Sequence, residues 1–249
     1  MFNDDRPVGR ISTRRETLAL LSGTAGGVFV AAAAGYGWKG GTARAAGATP
    51  RACIVRPEQT EGPYFVDERL RRSDIRSDPS DGSVKPGVPL TLTFRVAQLS
   101  GSGCTPLRGA IVDVWHCDAL GVYSDTRDPI FGDTRGRKFL RGYQPADAAG
   151  VAGFLTIYPG WYEGRAVHIH FRIRTGFASP AHEFTSQLYF DDTLTDRVHA
   201  RQPYARKGRR TMRNAQDGIF RNGGTDLFLK PVPHGQGYAA AFDVALQIA

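Results

Sequence analysis

One stretch, residues 156–174, restricts the possible folds of this chain most, because its second half alternates strictly between apolar and polar residues. Apolar side chains at odd positions from 167 to 173 alternate with His168, His170, Arg172 and Arg174. A period of two is typical of a half-buried β-strand, and it puts both histidines on one face. At roughly 3.3 Å per residue their Cα atoms lie about 6.6 Å apart. Both imidazoles can therefore reach one ion, and the stretch predicts a metal-binding strand.

Similar short segments recur along the chain. Residues 90–96 and 242–248 alternate in the same way, residues 110–116 form a more fully buried run, and residues 154–158 and 185–190 are further predicted strands. Gly, Pro and Asp turns separate them, and strong helical patterning is confined to the first fifty residues. The pattern predicts an all-β fold, an antiparallel β-sandwich with long loops and little helix outside the leader. Residues 70–88 and 125–141 are charged and aperiodic, which predicts long surface loops.

The N-terminal region has the features of an export segment. Arg14 and Arg15 precede an apolar run over residues 18–34, and residues 43–45 resemble a small-residue cleavage site. Paired arginines indicate the twin-arginine export machinery, which carries folded proteins. Residues 1–46 are thus predicted to be an export signal and linker, and residues 47–249 a single folded domain. The protein is expected in the periplasm or outside the cell, or anchored to a membrane if the segment is not cleaved.

Cysteine and charge patterns narrow the compartment and the partners. Cys53, Cys104 and Cys117 predict one disulfide and one free thiol in an oxidising compartment, and the sequence allows each of the three pairings. The net charge of +8 comes partly from the leader. Basic residues between 201 and 213 predict a solvated surface, with steering of anionic substrates as the weaker alternative. They lack interleaved aromatic residues, so no nucleic-acid partner is expected.

The remaining histidines are weaker candidates for metal binding. His182, His199 and His234 are isolated in polar segments, and each is predicted to be an ordinary surface histidine. His116 follows a buried run, which favours a core or supporting role over ligation.

The residues around His168 and His170 indicate which metal fits. Zinc requires a third histidine, a cysteine or a carboxylate, and oxygen-using iron(II) sites require a carboxylate. Glu163 is the only close acid, and it lies in a turn. The better donors are the phenols of Tyr162, beside the pair, and Tyr123, at an exposed turn. Two phenolates favour a trivalent ion, above all iron.

Together these motifs resemble those of the intradiol ring-cleavage dioxygenases, non-haem iron(III) enzymes that open catechols between their two hydroxyls. The likeness runs from about Cys53 to the C-terminus, and its most specific element is the run from Arg165 to His170. The short span from Tyr162 to His168 is similar to that of the compact, exported members. The matching segments are residues 60–64, 106–116, 118–123, 159–162, 165–170 and 185–189.

The resemblance implies an Fe(3+) cofactor and a role for each matching residue. The implied metal ligands are Tyr123, Tyr162, His168 and His170. Tyr162 is also implied to be catalytic, as the ligand that departs when substrate binds, together with Arg165, which stabilises negative charge on the substrate ring. The implied substrate-binding residues are Gln187, beside the substrate, and Gly62, Pro63 and Tyr64, at the pocket mouth. Tyr158 is expected to be a packed sheet aromatic.

The implied activity is an oxidoreductase reaction in which O2 cleaves a catechol-type ring to a muconate-type diacid. The implied partners are an aromatic diol and O2, with a homo-oligomer compatible with the resemblance. An alternative is a transthyretin-like β-sandwich module that binds or scaffolds without catalysis, because similar strand–turn segments occur there. A third, weaker alternative is an extracellular protein that stores or senses metal. Colour separates the first two, since iron(III)–phenolate proteins are red to burgundy.

Overall fold

The structure, a computed structural model, describes residues 53–101, 103–178 and 182–248. The predicted export segment, residues 1–46, lies outside the described residues. The strands are β1 (Pro89–Ser100), β2 (Gly103–Pro106), β3 (Ile111–Trp115), β4 (Arg127–Asp128), β5 (Gly132–Asp133), β6 (Arg141–Pro145), β7 (Val151–Ile157), β8 (His168–Arg174), β9 (Glu183–Tyr189), β10 (Val232–His234) and β11 (Gly237–Leu246). The helices are α1 (Asp192–His199) and α2 (Gly218–Arg221), with 3₁₀ turns at Tyr204–Lys207, Asn214–Gln216 and Gly224–Leu227.

The strands form two main sheets, as predicted for an all-β sandwich. One is five-stranded and centred on β1, which pairs with β11 along one edge and with β2 and β7 along the other. The other is four-stranded, in the order β6-β3-β8-β9, and all its pairs are antiparallel. The β1–β11 pair is parallel, unlike the antiparallel arrangement that the sequence predicts. Two parallel strands require a long connection, and here the chain from the end of β1 at Ser100 to the start of β11 at Gly237 forms it.

The core lies between the two sheets. Alternate side chains of β1, including Phe94, point inward and are fully buried. Phe94 packs against Phe171 of the opposite sheet and Phe242 of its own, with ring centroids 5.2 and 6.2 Å apart. Such interlocked aromatic side chains supply a large share of the buried apolar area. The two-residue period therefore identified the inner face of both sheets correctly.

Strand β8 differs from its prediction because both of its faces are buried, not one. The second face carries the histidines and arginines and lies under residues 57–67, here called the strap. The Gln187 side-chain amide donates to the Thr60 carbonyl (2.9 Å), and Arg172 and Arg174 form ion pairs of 3.1 Å with strap carboxylates. These carboxylates belong to Glu61 and Asp67. The strap thus covers the polar face and places a carboxylate beside each arginine, since buried charges require partners of opposite sign.

Two predicted surface loops are partly internal. Ile75, within 70–88, is fully buried, and its N–H donates to the Leu155 carbonyl at 3.0 Å. Leu140, within 125–141, is also fully buried and donates its N–H to the Ile75 carbonyl at 2.7 Å. The same region contains β4 and β5. The prediction was wrong here because single anchoring side chains leave no periodic signal.

The cysteine prediction is confirmed: Cys53 pairs with Cys104, and Cys117 is a buried free thiol. In the described ranges no helix has both the length and the apolar character needed to cross a bilayer.

Two predictions about the polar C-terminal half are wrong. His199 ends α1, where it is buried and stacks on Tyr204, so it is not a surface histidine. Arg210, expected to be solvated, is largely buried and forms ion pairs with Asp192 and Asp196. Alternation within one segment does not reveal these contacts, because the partners of each residue lie in other turns or helices. His182 and His234 are exposed, as predicted.

Candidate metal centre

Two neighbouring turns and one strand carry the four predicted ligands. His168 and His170 are the first and third residues of β8, and Tyr162 lies in the turn before it. Tyr123 follows a tight turn in which the Gly121 N–H donates to the Asp118 carbonyl at 2.9 Å. Gly121 has a φ of 84°, a conformation that favours glycine. These local constraints bring a phenol from each turn to the histidine-bearing end of β8.

The four side chains converge. The Nε2 atoms of His168 and His170 are 2.9 Å apart, and the Tyr162 hydroxyl is 3.2 Å from the His168 Nε2. The ring of Tyr123 lies 5.7 Å from that of Tyr162 and 6.2 Å from that of His170, between centroids. Two donors at about 2.1 Å from one ion, at right angles, are about 3.0 Å apart. The spacing of the donor atoms of His168, His170 and Tyr162 therefore matches that of ligands in one coordination sphere, and the Tyr123 ring packs beside them.

Hydrogen bonding and stacking fix both imidazoles. The His168 Nδ1–H donates to the Ala166 carbonyl at 2.6 Å, which leaves a lone pair on Nε2. The His170 ring lies parallel to the Trp115 indole, with centroids 5.1 Å apart and planes within 6°. Burial lowers the pKa of both histidines well below the usual range, with smaller contributions from neighbouring positive charge. Both rings are therefore neutral near pH 7, the form that binds metal.

Tyr123 provides the clearest test of whether the residues fit a metal. The sequence predicts Tyr123 at an exposed turn, but its side chain is fully buried, and its hydroxyl has no hydrogen-bond partner among the described residues. Burial, followed by the neighbouring Tyr162, raises the pKa of Tyr123 well above its usual value. A buried polar group without a partner costs about 1–3 kcal/mol, so the site is built to give this oxygen a further partner. A cation that binds the phenolate satisfies it, and the four residues fit such an ion.

In the described ranges, no group of three or more His, Cys, Asp or Glu side chains gathers around a common point. The side chains gathered at this position are two imidazoles and two phenols, and their role as metal ligands stays a prediction.

The predicted catalytic and substrate-binding polar residues lie together beside the histidines. Arg165 is buried, and its Nη2 donates to the Gln187 Oε1 at 2.5 Å. Gln187 is opposite His170 in the β8–β9 register. The Arg165 Nε donates to Asp217, with an N–O distance of 3.1 Å, so the guanidinium has a buried negative partner. Sequence reasoning missed Asp217, whose one local signal is its position just before the short helix α2.

Of the three predicted pocket-mouth residues, Tyr64 contacts the phenols. Its ring stacks on Tyr123 with centroids 4.3 Å apart, and its hydroxyl donates to Asp128 at 2.7 Å. Gly62, with a φ of 70°, and the exposed Pro63 form the turn that carries Tyr64. The stacking partner and the carboxylate come from loops distant in sequence, so neither contact was predictable from the sequence.

Aromatic side chains enclose the site. Trp115, Cys117 and Tyr123 form a small buried cluster that is packed by Tyr64, Phe65, Phe131 and Tyr162. Sequence reasoning assigned no site role to Trp115 or Phe65. His116 has the supporting role expected of it, because it is buried with its ring nitrogens bonded to the Cys117 carbonyl and the Thr156 hydroxyl. Tyr158 is a packed core residue whose hydroxyl bonds to that of Thr195, also as expected.

Comparison with known proteins gives consistent similarities. A family model described as "Dioxygenase" matches residues 60–215. Chlorocatechol 1,2-dioxygenase from Pseudomonas sp. (strain P51) is 29% identical over 144 residues, 53% of this chain and 54% of that protein. Catechol 1,2-dioxygenase 2 from Acinetobacter lwoffii is 31% identical over 149 residues, 54% of this chain and 51% of that protein. The chain therefore spans about half the length of the curated relatives it matches.

Solved structures match over a larger share of the chain. An intradiol ring-cleavage dioxygenase from Tetranychus urticae superposes with a TM-score of 0.67 at 30% identity, covering 78% of this chain and 95% of that one. The dioxygenase domain of a dioxygenase–carbohydrate-binding protein fusion from Streptomyces sp. SirexAA-E has a TM-score of 0.56 at 29% identity, covering 79% of this chain and 100% of that one.

Proposed function

The chain belongs to the intradiol ring-cleavage dioxygenases, and we propose on that basis that it uses O2 to cleave a catechol-type ring between its two hydroxyl-bearing carbons, giving a muconate-type diacid. The observation that carries this proposal is the approach of two phenols and two imidazoles to one point, with a buried arginine beside them. A β-sandwich that only binds or scaffolds has no use for such a donor set.

We assign Fe(3+) to Tyr123, Tyr162, His168 and His170. When bound there, the ion would act as a Lewis acid on the two oxygens of the diol and absorb visible light through its phenolates. His168 would bind through Nε2, since its Nδ1–H is held by the Ala166 carbonyl.

The two phenols are suited to different tasks because their burial differs. Tyr123 is fully buried and stacked by Tyr64, so its ring is held in place. Tyr162 is partly exposed at a turn, which gives it room to move when a diol enters. We assign to the Tyr162 phenolate oxygen the uptake of one proton from the diol, which would convert Tyr162 to a neutral phenol, whereas Tyr123 would keep its position. A phenolate is a competent general base for a diol of similar acidity.

Arg165 and Gln187 would face the substrate ring. The guanidinium stays charged, and its contacts with Gln187 and Asp217 hold it in one orientation. It would stabilise negative charge that develops on the ring, an effect that is large where aromatic side chains exclude water. Tyr64, above Tyr123, would form one wall of the entrance.

The test is oxygen uptake by the purified, iron-loaded chain with catechol, hydroxyquinol and protocatechuate, combined with mass analysis of the product and a visible spectrum. We expect a red to burgundy protein that consumes one O2 per diol and forms a ring-opened diacid. A His168→Gln variant should lose colour and turnover, whereas His182→Gln, at an exposed position, should keep both. A colourless wild-type protein that takes up no oxygen with any diol of the panel would reject the proposal.

The non-catalytic alternative, a transthyretin-like module, is not favoured, because the matched relatives and the matched structures are named as dioxygenases. The same measurements address a protein that stores or senses metal, which would be coloured but would not consume oxygen with a diol.

We further propose that the chain is exported by the twin-arginine machinery. The Cys53–Cys104 disulfide supports this, since such bonds persist in oxidising compartments. Cell fractionation of wild type and an Arg14→Lys/Arg15→Lys variant tests it. We expect the variant to remain in the cytoplasm, and equal export of both proteins would reject the proposal.

A further inference from the structure

The carboxylate of Asp217 makes hydrogen bonds in two directions from a fully buried position. Its Oδ2 accepts from the Arg165 Nε at 3.1 Å and from the Ala166 N–H at 2.8 Å. Its Oδ1 accepts from the Ile219 N–H at 2.8 Å and the Phe220 N–H at 3.3 Å, which caps α2. One oxygen therefore accepts hydrogen bonds from the loop before β8, and the other accepts hydrogen bonds from the first turn of α2.

The Ala166 peptide extends this contact to His168. The Ala166 N–H donates to Asp217, and the Ala166 carbonyl accepts the His168 Nδ1–H at 2.6 Å. Because this bond fixes the His168 tautomer, a displacement of the Ala166 peptide would allow the proton to move to Nε2, the nitrogen that faces the centre. Asp217 is thus connected to Arg165 directly and to His168 through one peptide group.

A second set of contacts holds α2, and with it Asp217, in place. The Gln59 side-chain amide donates to the Ile219 and Asn222 carbonyls, each at 2.9 Å. Its Oε1 accepts from the Tyr189 hydroxyl at 2.8 Å, and that hydroxyl also lies 3.0 Å from the Gln187 Oε1. Gln187 in turn accepts from Arg165. These contacts form a closed network. Arg165 is connected to Gln187, Tyr189, Gln59 and α2 in turn, and the Asp217 carboxylate connects α2 back to Arg165.

We propose that Asp217 is a positioning residue for the reaction: it holds the Arg165 guanidinium and, through the Ala166 peptide, the His168 imidazole in one geometry. The expected effect of Asp217 on turnover rests on the proposed function, whereas its effect on the positions of Arg165 and His168 does not. The competing explanation is that Asp217 only caps α2 and stabilises the fold. The two explanations differ in what they predict for turnover and for the His168 tautomer.

The test compares Asp217→Asn with wild type. Asparagine has one side-chain oxygen, which can still cap α2, and its amide NH2 group then faces the Arg165 Nε–H and the Ala166 N–H, where no acceptor is left. We expect kcat to fall by about 10- to 100-fold, the usual effect of losing a group that orients ligands, with KM within about threefold. KM should change little because Arg165 acts on charge that develops during the reaction. In the iron-free full-length chain, ¹⁵N NMR should show His168 protonated at Nδ1 in wild type and a tautomer mixture in the variant.

The matched control is Asp191→Asn. Asp191 caps α1 by accepting from the Leu194 N–H at 2.9 Å, and it has no contact with Arg165 or Ala166 among the described hydrogen bonds. It should leave kcat and the His168 tautomer unchanged. If Asp217→Asn keeps kcat within twofold and the single tautomer, Asp217 is only a cap and the proposal is overturned.

If Asp217→Asn does not fold, the proposal is tested by hydrogen exchange on the wild-type chain alone. Hydrogen exchange at the Arg165 Nε–H and the His168 Nδ1–H in the iron-free chain should be strongly slowed, and fast exchange at both would overturn the proposal. These readouts require neither iron nor a diol. A wild-type chain that cleaves no diol therefore rejects the proposed function alone, and the NMR result still decides whether Asp217 orients the two side chains.

Discussion

The Gly160 N–H donates a 3.1 Å hydrogen bond to the Asp118 carbonyl, which joins the turn that carries Tyr162 to the turn that leads to Tyr123. The Asp118 carbonyl also accepts from the Gly121 N–H at 2.9 Å. One carbonyl group thus organises both phenol-bearing turns, and their close contact sets the distance between the two phenols.

Gly160→Ala should disrupt this junction. A Cβ at residue 160 would lie 2.4 Å from the Asp118 carbonyl oxygen and 2.6 Å from that of Ala119, so the two turns must separate. We expect a loss of about 3 kcal/mol of unfolding free energy and a clear loss of bound iron. Denaturant unfolding and iron content per chain measure the two effects. The control is Gly153→Ala in β7, where a Cβ meets no atom within 4 Å and stability should change by no more than about 0.5 kcal/mol.

Tyr162→Phe should keep the fold and lose the reaction. The substitution removes a hydroxyl at the candidate centre, so we expect a changed visible absorption and a kcat at least about 100-fold lower. Tyr158→Phe is the matched control, because its hydroxyl bonds to Thr195 in the core. That variant should keep the wild-type spectrum and lose about 1 kcal/mol of stability. Full activity and an unaltered spectrum for Tyr162→Phe would remove Tyr162 from the assignment.

Removal of the Cys53–Cys104 disulfide should destabilise the domain without recolouring it. The bond joins residues 51 positions apart, and closing a loop of that length contributes about 4 kcal/mol in the chain-entropy model. A Cys53→Ser/Cys104→Ser variant should therefore unfold at lower denaturant, and reductant should lower the stability of wild type but not of the variant. Equal stability of the two proteins without reductant would contradict the prediction.

His199 should make the protein sensitive to acid. Burial lowers the pKa of His199 to about 4 from an ordinary value of 6.5. Between these values the unfolded chain binds a proton that the folded protein does not, so stability falls as the pH decreases from 6.5 to 4. The full effect is roughly 3 kcal/mol. Urea unfolding at pH 7, 5.5 and 4 should show that the free energy of unfolding falls more steeply for wild type than for His199→Gln. An equal fall in the two proteins would contradict the prediction.

The sequence predicted the parts of the molecule that depend on local alternation. The pattern around His168 and His170 identified β8 and the face on which both imidazoles lie, and the alternation near Phe94 identified the centre of the other sheet. The two tyrosines were predicted because the turn motifs that carry them are local. In the structure the His168 Nε2 lies 2.9 Å from the His170 Nε2 and 3.2 Å from the Tyr162 hydroxyl, and the Tyr123 ring packs beside that of Tyr162. Their role as metal ligands stays a prediction.

The sequence could not reveal contacts between distant segments. Nothing near Asp217 indicates that it binds Arg165, 52 positions away. The alternation in β8 predicts one solvent-facing side, whereas the strap buries it, because Glu61 and Asp67 neutralise arginines more than a hundred positions away. His199 was misjudged for the same reason, since its Nε2 bonds to the Pro159 carbonyl, 40 positions away.

Strand β8 has one row of side chains in the hydrocarbon interior and the next row at the candidate centre. Phe171 follows His170 directly and packs against Phe94 and Phe242. A core substitution that changes the side-chain volume at Phe171 in order to raise stability would also shift the backbone of β8, from which the imidazoles project. Selection for heat tolerance and selection for turnover therefore act on the same strand, and mutant libraries intended to raise stability are better directed to β10 and the outer turns.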